Sequence, residues 1–284
     1  MAGPSTGGIG AGRTQPAISV AGCMDGFGPS TYGDAFADIY DTWYGDLPGK
    51  DETVSAVARL ARGGPVLELG CGTGRLALPL AQLGLEVHGL DSSRPMLDQL
   101  QAKLDADRSA DRPVVVTHQA DMARFDLVGT PPFSVVFVAF NSLFNLPAEA
   151  DQAGCLHAAA RHLAPGGRLA LECVVPGDAP SRVKDAVELH SIGVDRVVLR
   201  VSRQDPATQT VTGQHVELTN NGVRLRPWHL RYITPAQLDA LASAAGFELE
   251  DRWADWAGTA FDADALTHVS VYRLTGPQRS GVTP

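Results

Sequence analysis

Three glycines at alternate positions, Gly70, Gly72 and Gly74, follow an apolar run that carries one acid, Val66-Leu67-Glu68-Leu69. The chain then passes into Leu76-Ala77-Leu78-Pro79-Leu80-Ala81. That order reads as strand, tight glycine turn, helix. A turn free of side chains lets a ligand approach bare backbone beside a helix N-terminus. Cys71 lies inside the turn, and Glu68 stands two residues before it. A second carboxylate, Asp91, ends the run Leu85-Glu86-Val87-His88-Gly89-Leu90. At a strand tip a carboxylate can accept two hydrogen bonds from a ribose diol; it can also serve only as a helix cap. The dinucleotide fingerprint G-x-G-x-x-G needs a small residue where this chain has Arg75. A nicotinamide-dependent oxidoreductase is therefore the weaker of two cofactor readings.

These groups need elements to hold them. Ser92 and Ser93 are candidate N-caps for a helix carrying Met96, Leu97 and Leu100. A third strand, Val114 to His118, leads into Gln119-Ala120-Asp121-Met122. A fourth, Ser134 to Ala139, is almost continuously apolar, as in a strand buried on both faces. It opens into Phe140-Asn141-Ser142-Leu143-Phe144-Asn145. Leu163-Ala164-Pro165-Gly166-Gly167-Arg168 ends a helix and starts a fifth strand, Leu169 to Val175. Strands alternating with helices predict a parallel sheet. Three further strands, around residues 196–203, 210–218 and 223–230, form an antiparallel meander with a turn at Asn220-Asn221-Gly222. Thr234-Pro235 opens another helix, and residues 247–256 and 268–274 supply the last two strands, one of which must run antiparallel.

Four of these segments, in this order, resemble the motifs of class I S-adenosylmethionine (SAM)-dependent methyltransferases: Glu68-Leu69-Gly70-Cys71-Gly72-Thr73-Gly74, Asp91, Asp121-Met122 and the Pro165-Gly166-Gly167 turn. The resemblance covers roughly residues 32 to 275. It implies an α/β fold with a Rossmann-like seven-stranded sheet, mostly parallel with one antiparallel strand. An N-terminal helical lid and an inserted antiparallel β-meander would complete it. The expected division is a tail at 1–31, a helical lid at 32–63, and a SAM-binding domain at 64–275 with the insertion at 176–231. A second tail spans 276–284.

In such enzymes the residue at Asp91 takes the ribose, the residue at Asp121 accepts from the adenine amino group, and Met122 packs on the ring. The resemblance also assigns Glu68, Gly70, Cys71, Gly72, Gly74, Ser92, Met96 and Phe140 to the SAM site. Phe36-Ala37-Asp38-Ile39-Tyr40-Asp41 is similar to the opening of amino-sugar N-methyltransferases, whose aromatic residues close over SAM. Tyr40 and Tyr44 are the matching candidates, although aromatic residues at helical spacing also serve as packing.

The expected activity is methyl transfer to a nitrogen or oxygen of a small molecule. The alternatives are the oxidoreductase above and a non-catalytic SAM-binding relative. A neutral amine acceptor needs positioning, whereas a hydroxyl usually needs a base. His229 is the candidate base and Asn141 a candidate orienting group; Glu172, Arg231 and Tyr232 are further substrate-side candidates. His118 reads as structural, and His157 and His162 as surface residues on a helix.

Composition bounds the rest. The formal net charge of −9 disfavours nucleic acid as the main partner, because phosphate binding wants a positive surface. Cys23, Cys71, Cys155 and Cys173 show no metal-ligand spacing, so reduced thiols and no metal are expected. No apolar run approaches the roughly 20 residues of a membrane span, and no secretory signal is legible. The expectation is a cytoplasmic monomer or homodimer with a small-molecule acceptor, away from membranes.

Overall fold

The computed structural model describes residues 25–107, 114–177 and 180–275. A seven-stranded sheet carries the core. Its strands are β1 (Val66–Leu69), β2 (Val87–Asp91), β3 (Val115–Gln119), β4 (Phe133–Val138), β5 (Leu163–Val174), β10 (Phe247–Trp253) and β11 (Thr267–Leu274), in the order β10-β11-β5-β4-β1-β2-β3. Pairs β1–β2, β1–β4, β2–β3 and β4–β5 are parallel. Strand β11 is antiparallel to both β5 and β10, so it is the one reversed strand.

Helices cover both faces because the central strands are apolar on both sides. Leu67, Leu69, Val136 and Val138 point into one core, packed with α6 (Glu149–His162) and α7 (Pro235–Ala244). Val66, Val135 and Phe137 point into the other, packed with α3 (Lys50–Ala61), α4 (Ala77–Gln82) and α5 (Arg94–Ala106). The alternation follows from the period of two along a strand. Helix α7 begins as its sequence signature implies. Thr234 accepts from the Gln237 N–H in a capping box, with Pro235 in the first turn. At α5 the cap is Ser93, whose Oγ accepts from the Met96 N–H.

The strand order reverses beside β1, between β2 and β4. Open α/β sheets bind ligands at the carboxyl ends of strands at such a point. Helix α3 belongs to the core: Val54, Ala56, Val57 and Ala61 are buried in it. Of the segment expected as a lid, only α1 (Thr31–Phe36) and α2 (Tyr40–Tyr44) stand over the strand tips, as two short helices in place of one.

The insertion forms its own antiparallel sheet: β6 (Lys184–Ile192), β7 (Arg196–Asp205), β8 (Thr210–Thr219) and β9 (Gly222–Arg231), in sequential order. The first of these strands is additional to the three legible in sequence. Apart from the partly buried Ala186 its residues are exposed, so no burial pattern marks it.

Arg226 of β9 joins this sheet to α1. Only 2% exposed, it donates to Asp38 at 2.6 Å and to Glu217 at 3.3 Å, and also to the Ala35 carbonyl. Its guanidinium lies 6.0 Å from the Phe36 ring centre and 5.9 Å from that of Trp43. The Arg226 hydrogen bond holds the Asp38 carboxyl below its ordinary pKa, against the opposing effect of burial. Asp38→Ala leaves Arg226 buried with Glu217 as its remaining carboxylate. Breaking a buried pair costs about 3–5 kcal/mol, and Asp38 is half exposed, so a loss of roughly 1–3 kcal/mol is expected. Urea unfolding measures it, and an unchanged midpoint would remove the clamp as a source of stability.

Candidate functional site

The glycine turn leaves β1 with Gly70 at φ 72° and Gly72 at φ 53°, a region closed to most side chains. Leu90 O accepts from the N–H groups of Gly70 (2.8 Å) and Cys71 (3.0 Å). Asp91 then grips the turn. Its Oδ2 accepts from the Gly72 N–H and its Oδ1 from the Ser93 N–H, both at 2.8 Å. Burial pushes the Asp91 carboxyl up in pKa, and these two backbone donors oppose the rise.

A cavity of about 240 Å³ opens at these tips. Gly70, Gly72, Asp91, Ser92, Met96, Asp121, Met122 and Tyr40 all line it. Asp121 accepts from the Ala123 N–H at 2.9 Å and pairs with Arg124 at 3.0 Å. The other residues assigned to the cofactor lie outside this lining. Cys71 is buried, with its thiol packed where a side chain at Gly89 would stand. Gly74 admits the Leu100 side chain of α5. Tyr44 sits 5.0 Å from Tyr40 and 5.6 Å from Phe140, ring to ring.

Composition assigned residues up to 31 to a tail, but Phe27, Gly28 and Pro29 line this cavity. Ser92 Oγ donates to the Pro29 carbonyl at 2.8 Å, fixing the segment to the tip of β2. Residues 1–24 and 276–284, the remaining parts of the two expected tails, lie outside the described residues. Helix α1 adds Tyr32 and Gly33 to the lining; a side chain at Gly33 would overlap Ser93. Asp34 accepts from Ser93 Oγ at 2.7 Å. Asp41 accepts from Thr73 Oγ1 at 2.6 Å and pairs with Lys103 at 2.7 Å. Both short helices are thereby tied to the glycine turn and to α5. No periodicity marks Phe27 to Pro29, so only contact reveals them.

A second cavity, about 320 Å³, lies at the ends of β4 and β5. Glu52, Arg75, Phe140, Glu172, Asp255 and Trp256 are among its walls. Phe140 and Asn141 both hold positive φ, at 51° and 61°. Glu172 Oε2 accepts from the Phe140 N–H at 2.7 Å, and Asn141 Oδ1 accepts from the Val174 N–H at 2.6 Å. The side-chain oxygen of Asn141 therefore faces the β5 backbone. Arg75 stands 5.6 Å from the Phe140 ring centre.

The histidines lie elsewhere: neither lining contains one. His229 Nδ1 meets Thr212 Oγ1 at 2.7 Å, its ring stands 6.0 Å from that of Phe27, and burial lowers its pKa. His118 meets His88 at 2.9 Å. His162, expected at the surface, is buried; its Nε2 accepts from the Leu127 N–H at 2.9 Å and Nδ1 donates to Ala158 O at 2.8 Å. The turn that packs beneath α6 needs that bridge, which helical position alone does not reveal. Arg231 is likewise buried, held by Gln152 at 2.7 Å and Glu149 at 2.6 Å.

Residues 66–167 match the family model described as a methyltransferase domain. The chain is 31% identical over 241 residues to the cypemycin N-terminal methyltransferase of a Streptomyces species, covering 83% of this chain and 94% of that protein. The chain belongs to the SAM-dependent methyltransferases. The solved structure of the CcbJ methyltransferase from Streptomyces caelestis is 41% identical, with a TM-score of 0.78, covering 88% of this chain and all of that one. SAM-bound CalS10, an amino pentose methyltransferase from Micromonospora echinaspora, shares the fold at 23% identity and a TM-score of 0.54, over 93% of this chain and 100% of that one.

The residues present suit this methyltransferase's cofactor, SAM. Glu68 Oε2 and Asn145 Oδ1 are buried acceptors without a hydrogen-bond partner among the described residues, and Asn145 lines the first cavity. SAM carries an ammonium and an adenine amino group, both donors that such acceptors can satisfy. Asn145 escaped sequence reasoning because no pattern distinguishes it from an ordinary turn residue.

Burial raises the Glu68 carboxyl to about 8; Arg75 opposes the shift and Asp91 adds to it. In the fold Glu68 keeps its proton after the unfolded chain has lost it. The stabilisation is complete below about pH 4.5 and declines as pH rises to about 8, by at most ~1.4 kcal/mol per pH unit. Glu68→Gln removes that decline, so the variant gains on the native chain across this window. Chemical denaturation from pH 5 to 8 measures the difference, and parallel stability curves would refute the raised pKa.

Proposed function

We propose that this methyltransferase methylates an amino nitrogen of a small molecule bound in the second cavity. The observation that carries the reading is the chemistry of that cavity's wall. Glu52, Glu172 and Asp255 supply three carboxylates, and Phe140 and Trp256 supply two aromatic faces. Carboxylates and aromatic rings both attract a cationic amine. A space of about 320 Å³ suits a small molecule or the end of a flexible chain. The 31%-identical relative acts, by its name, on an N-terminus, which is also an amine.

Bound SAM supplies an activated methyl group on its sulfonium. The chain's own task is then to hold the two reactants in line and exclude water. Gly70 and Gly72 leave room for close approach at the turn, Asp91 takes the ribose, and Asp121 with Met122 takes the adenine. Glu68 receives the cationic amino-acid end. Tyr40, above the first cavity, and Tyr44, beside Phe140, stand between the two spaces and shield the transfer. Asn141 acts as a positioning residue, holding the Phe140 backbone in its left-handed conformation. The bound ammonium first gives one proton to a wall carboxylate or to solvent; the neutral amine then attacks the methyl without a strong base, and the methylated ammonium product releases a further proton to solvent.

Three substitutions separate these roles. Asp91→Ala is expected to weaken SAM binding by about 1–3 kcal/mol through the loss of charge-assisted hydrogen bonds. Calorimetry with SAM checks this, and unchanged affinity would overturn the ribose assignment. Glu52→Gln is expected to raise KM for an amine acceptor several-fold while SAM affinity stays constant. His229→Ala is expected to leave kcat on such an acceptor within about twofold. A screen of primary and secondary amines against matched alcohols, with labelled SAM, identifies the acceptor. Label on alcohols alone would replace the nitrogen reading with oxygen transfer.

A further inference from the structure

Charges of opposite sign share the wall of the second cavity without pairing. Arg75 stands there with Glu52, Glu172 and Asp255. Among the described residues Arg75 makes no ion pair with any of the three and no hydrogen bond. Two of the acids are anchored elsewhere. Glu172 Oε2 accepts from the Phe140 N–H, and Asp255 accepts from the Thr259 hydroxyl at 2.7 Å and the Thr259 N–H at 3.2 Å. The Thr259 hydroxyl holds the Asp255 carboxyl below its ordinary pKa, against the opposing effect of burial, so this wall stays negative. The Arg75 guanidinium lies 5.6 Å from the Phe140 ring centre. Its charge also reaches the cofactor end, where it opposes the rise that burial causes at Glu68 and at Tyr40. Trp256 adds a second donor. It is 4% exposed, it lines the same cavity, and its indole N–H has no acceptor among the described residues. A buried donor without an acceptor is costly, and a ligand is the natural source of one.

We infer, on the reading of this cavity as the acceptor site, that the acceptor is zwitterionic: an amino acid, or a larger amine that ends in the same unit. Its carboxylate takes Arg75 and the Trp256 N–H, and its amine faces the wall carboxylates. The planar guanidinium fork matches a carboxylate with two parallel hydrogen bonds. A carboxylic acid without an amine would be repelled by the three acids. An amine without a carboxylate would leave the guanidinium and the indole N–H uncompensated in a closed wall. A molecule that carries both charges bridges both sets of groups. Because Arg75 acts electrostatically on Glu68 and Tyr40, a carboxylate held there keeps the adjoining nitrogen at the cofactor's end of the cavity. The carboxylate of SAM is the rival occupant. Arg75 lines the second cavity and is absent from the lining of the first, where Asp91, Asp121 and Met122 stand.

The test supplies the full chain with labelled SAM and matched acceptors: alanine, leucine and phenylalanine, their primary amides, and the amines left when the carboxylate is removed. The expected kcat/KM of each favoured amino acid exceeds that of its amide by about tenfold or more, chiefly through KM. In Arg75→Gln that ratio is expected to fall toward one, and Arg75→Lys is expected to recover part of it. Trp256→Phe, which keeps a ring and removes the N–H, is expected to lower the ratio several-fold. Partial recovery by lysine separates a lost charge from a damaged fold. Calorimetry with SAM on Arg75→Gln is expected to match the native chain within about twofold. Equal native rates on amino acids and amides overturn the inference and leave amine methylation standing. Roughly tenfold weaker SAM binding in Arg75→Gln, with the ratio retained, assigns Arg75 to the cofactor's carboxylate and overturns it too. A native preference for 1-aminoethylphosphonate over alanine replaces the carboxylate with a phosphate-like group. Label on no amine of any kind overturns the amine reading itself.

Discussion

The grip of Asp91 on the glycine turn is the constraint from which the rest of the site follows. One carboxylate accepts from the Gly72 N–H with one oxygen and from the Ser93 N–H with the other. It thus joins the end of β2 to two helix entrances, the turn before α4 and the cap of α5. A turn with three glycines at positive φ would otherwise cost conformational entropy with little to hold it. Burial makes the charge expensive and the two donors make it tolerable. The same geometry exposes the remaining lone pairs of the carboxylate to the cavity.

The N-terminal segment depends on that fixed point. Asp34 bonds to Ser93, Asp41 to Thr73 and Lys103, and the Pro29 carbonyl to Ser92. Each contact attaches α1, α2 or the chain before them to the glycine turn, the tip of β2 or α5. On the far side, Asp38 attaches the same segment to Arg226 of the inserted sheet. The short helices are consequently a bridge between two sheets as well as a cover. This explains why the insertion keeps a charged inner face: Arg226 needs carboxylates from both partners, and Trp43 and Phe36 accept its planar cation.

The doubly wound core was legible because its strands are short apolar runs separated by glycine turns, and because the acids of the site stand at strand ends. β1, β2 and β4 appear within a residue or two of their sequence reading, and Asp91 and Asp121 line one cavity at the strand ends. Features fixed by contacts between distant segments were not legible. The short helices break near Asp38, where the side chain turns to Arg226. Phe27 reaches the cavity from a stretch whose composition reads as tail. The buried roles of His162 and Arg231 depend on partners 35 or more residues away. Strand β6 carries no burial signal because both of its faces are exposed in a single chain.

The bend after β4 shapes one wall of the second cavity. Two consecutive non-glycine residues with positive φ, Phe140 and Asn141, store strain of about 1–3 kcal/mol each. Such a conformation persists only where neighbours over-determine it. Here β5 does so three times: the Glu172 carboxylate holds the Phe140 N–H, the Glu172 carbonyl holds the Asn141 N–H at 3.2 Å, and Val174 holds the Asn141 amide. The result aims the Phe140 ring at Arg75 and Tyr44. Glu172 both anchors this bend and lines the second cavity, so that cavity's wall and the Phe140 ring share one anchor. A carboxylate has a second oxygen, so Glu172 can hold the Phe140 N–H and still present charge to the second cavity.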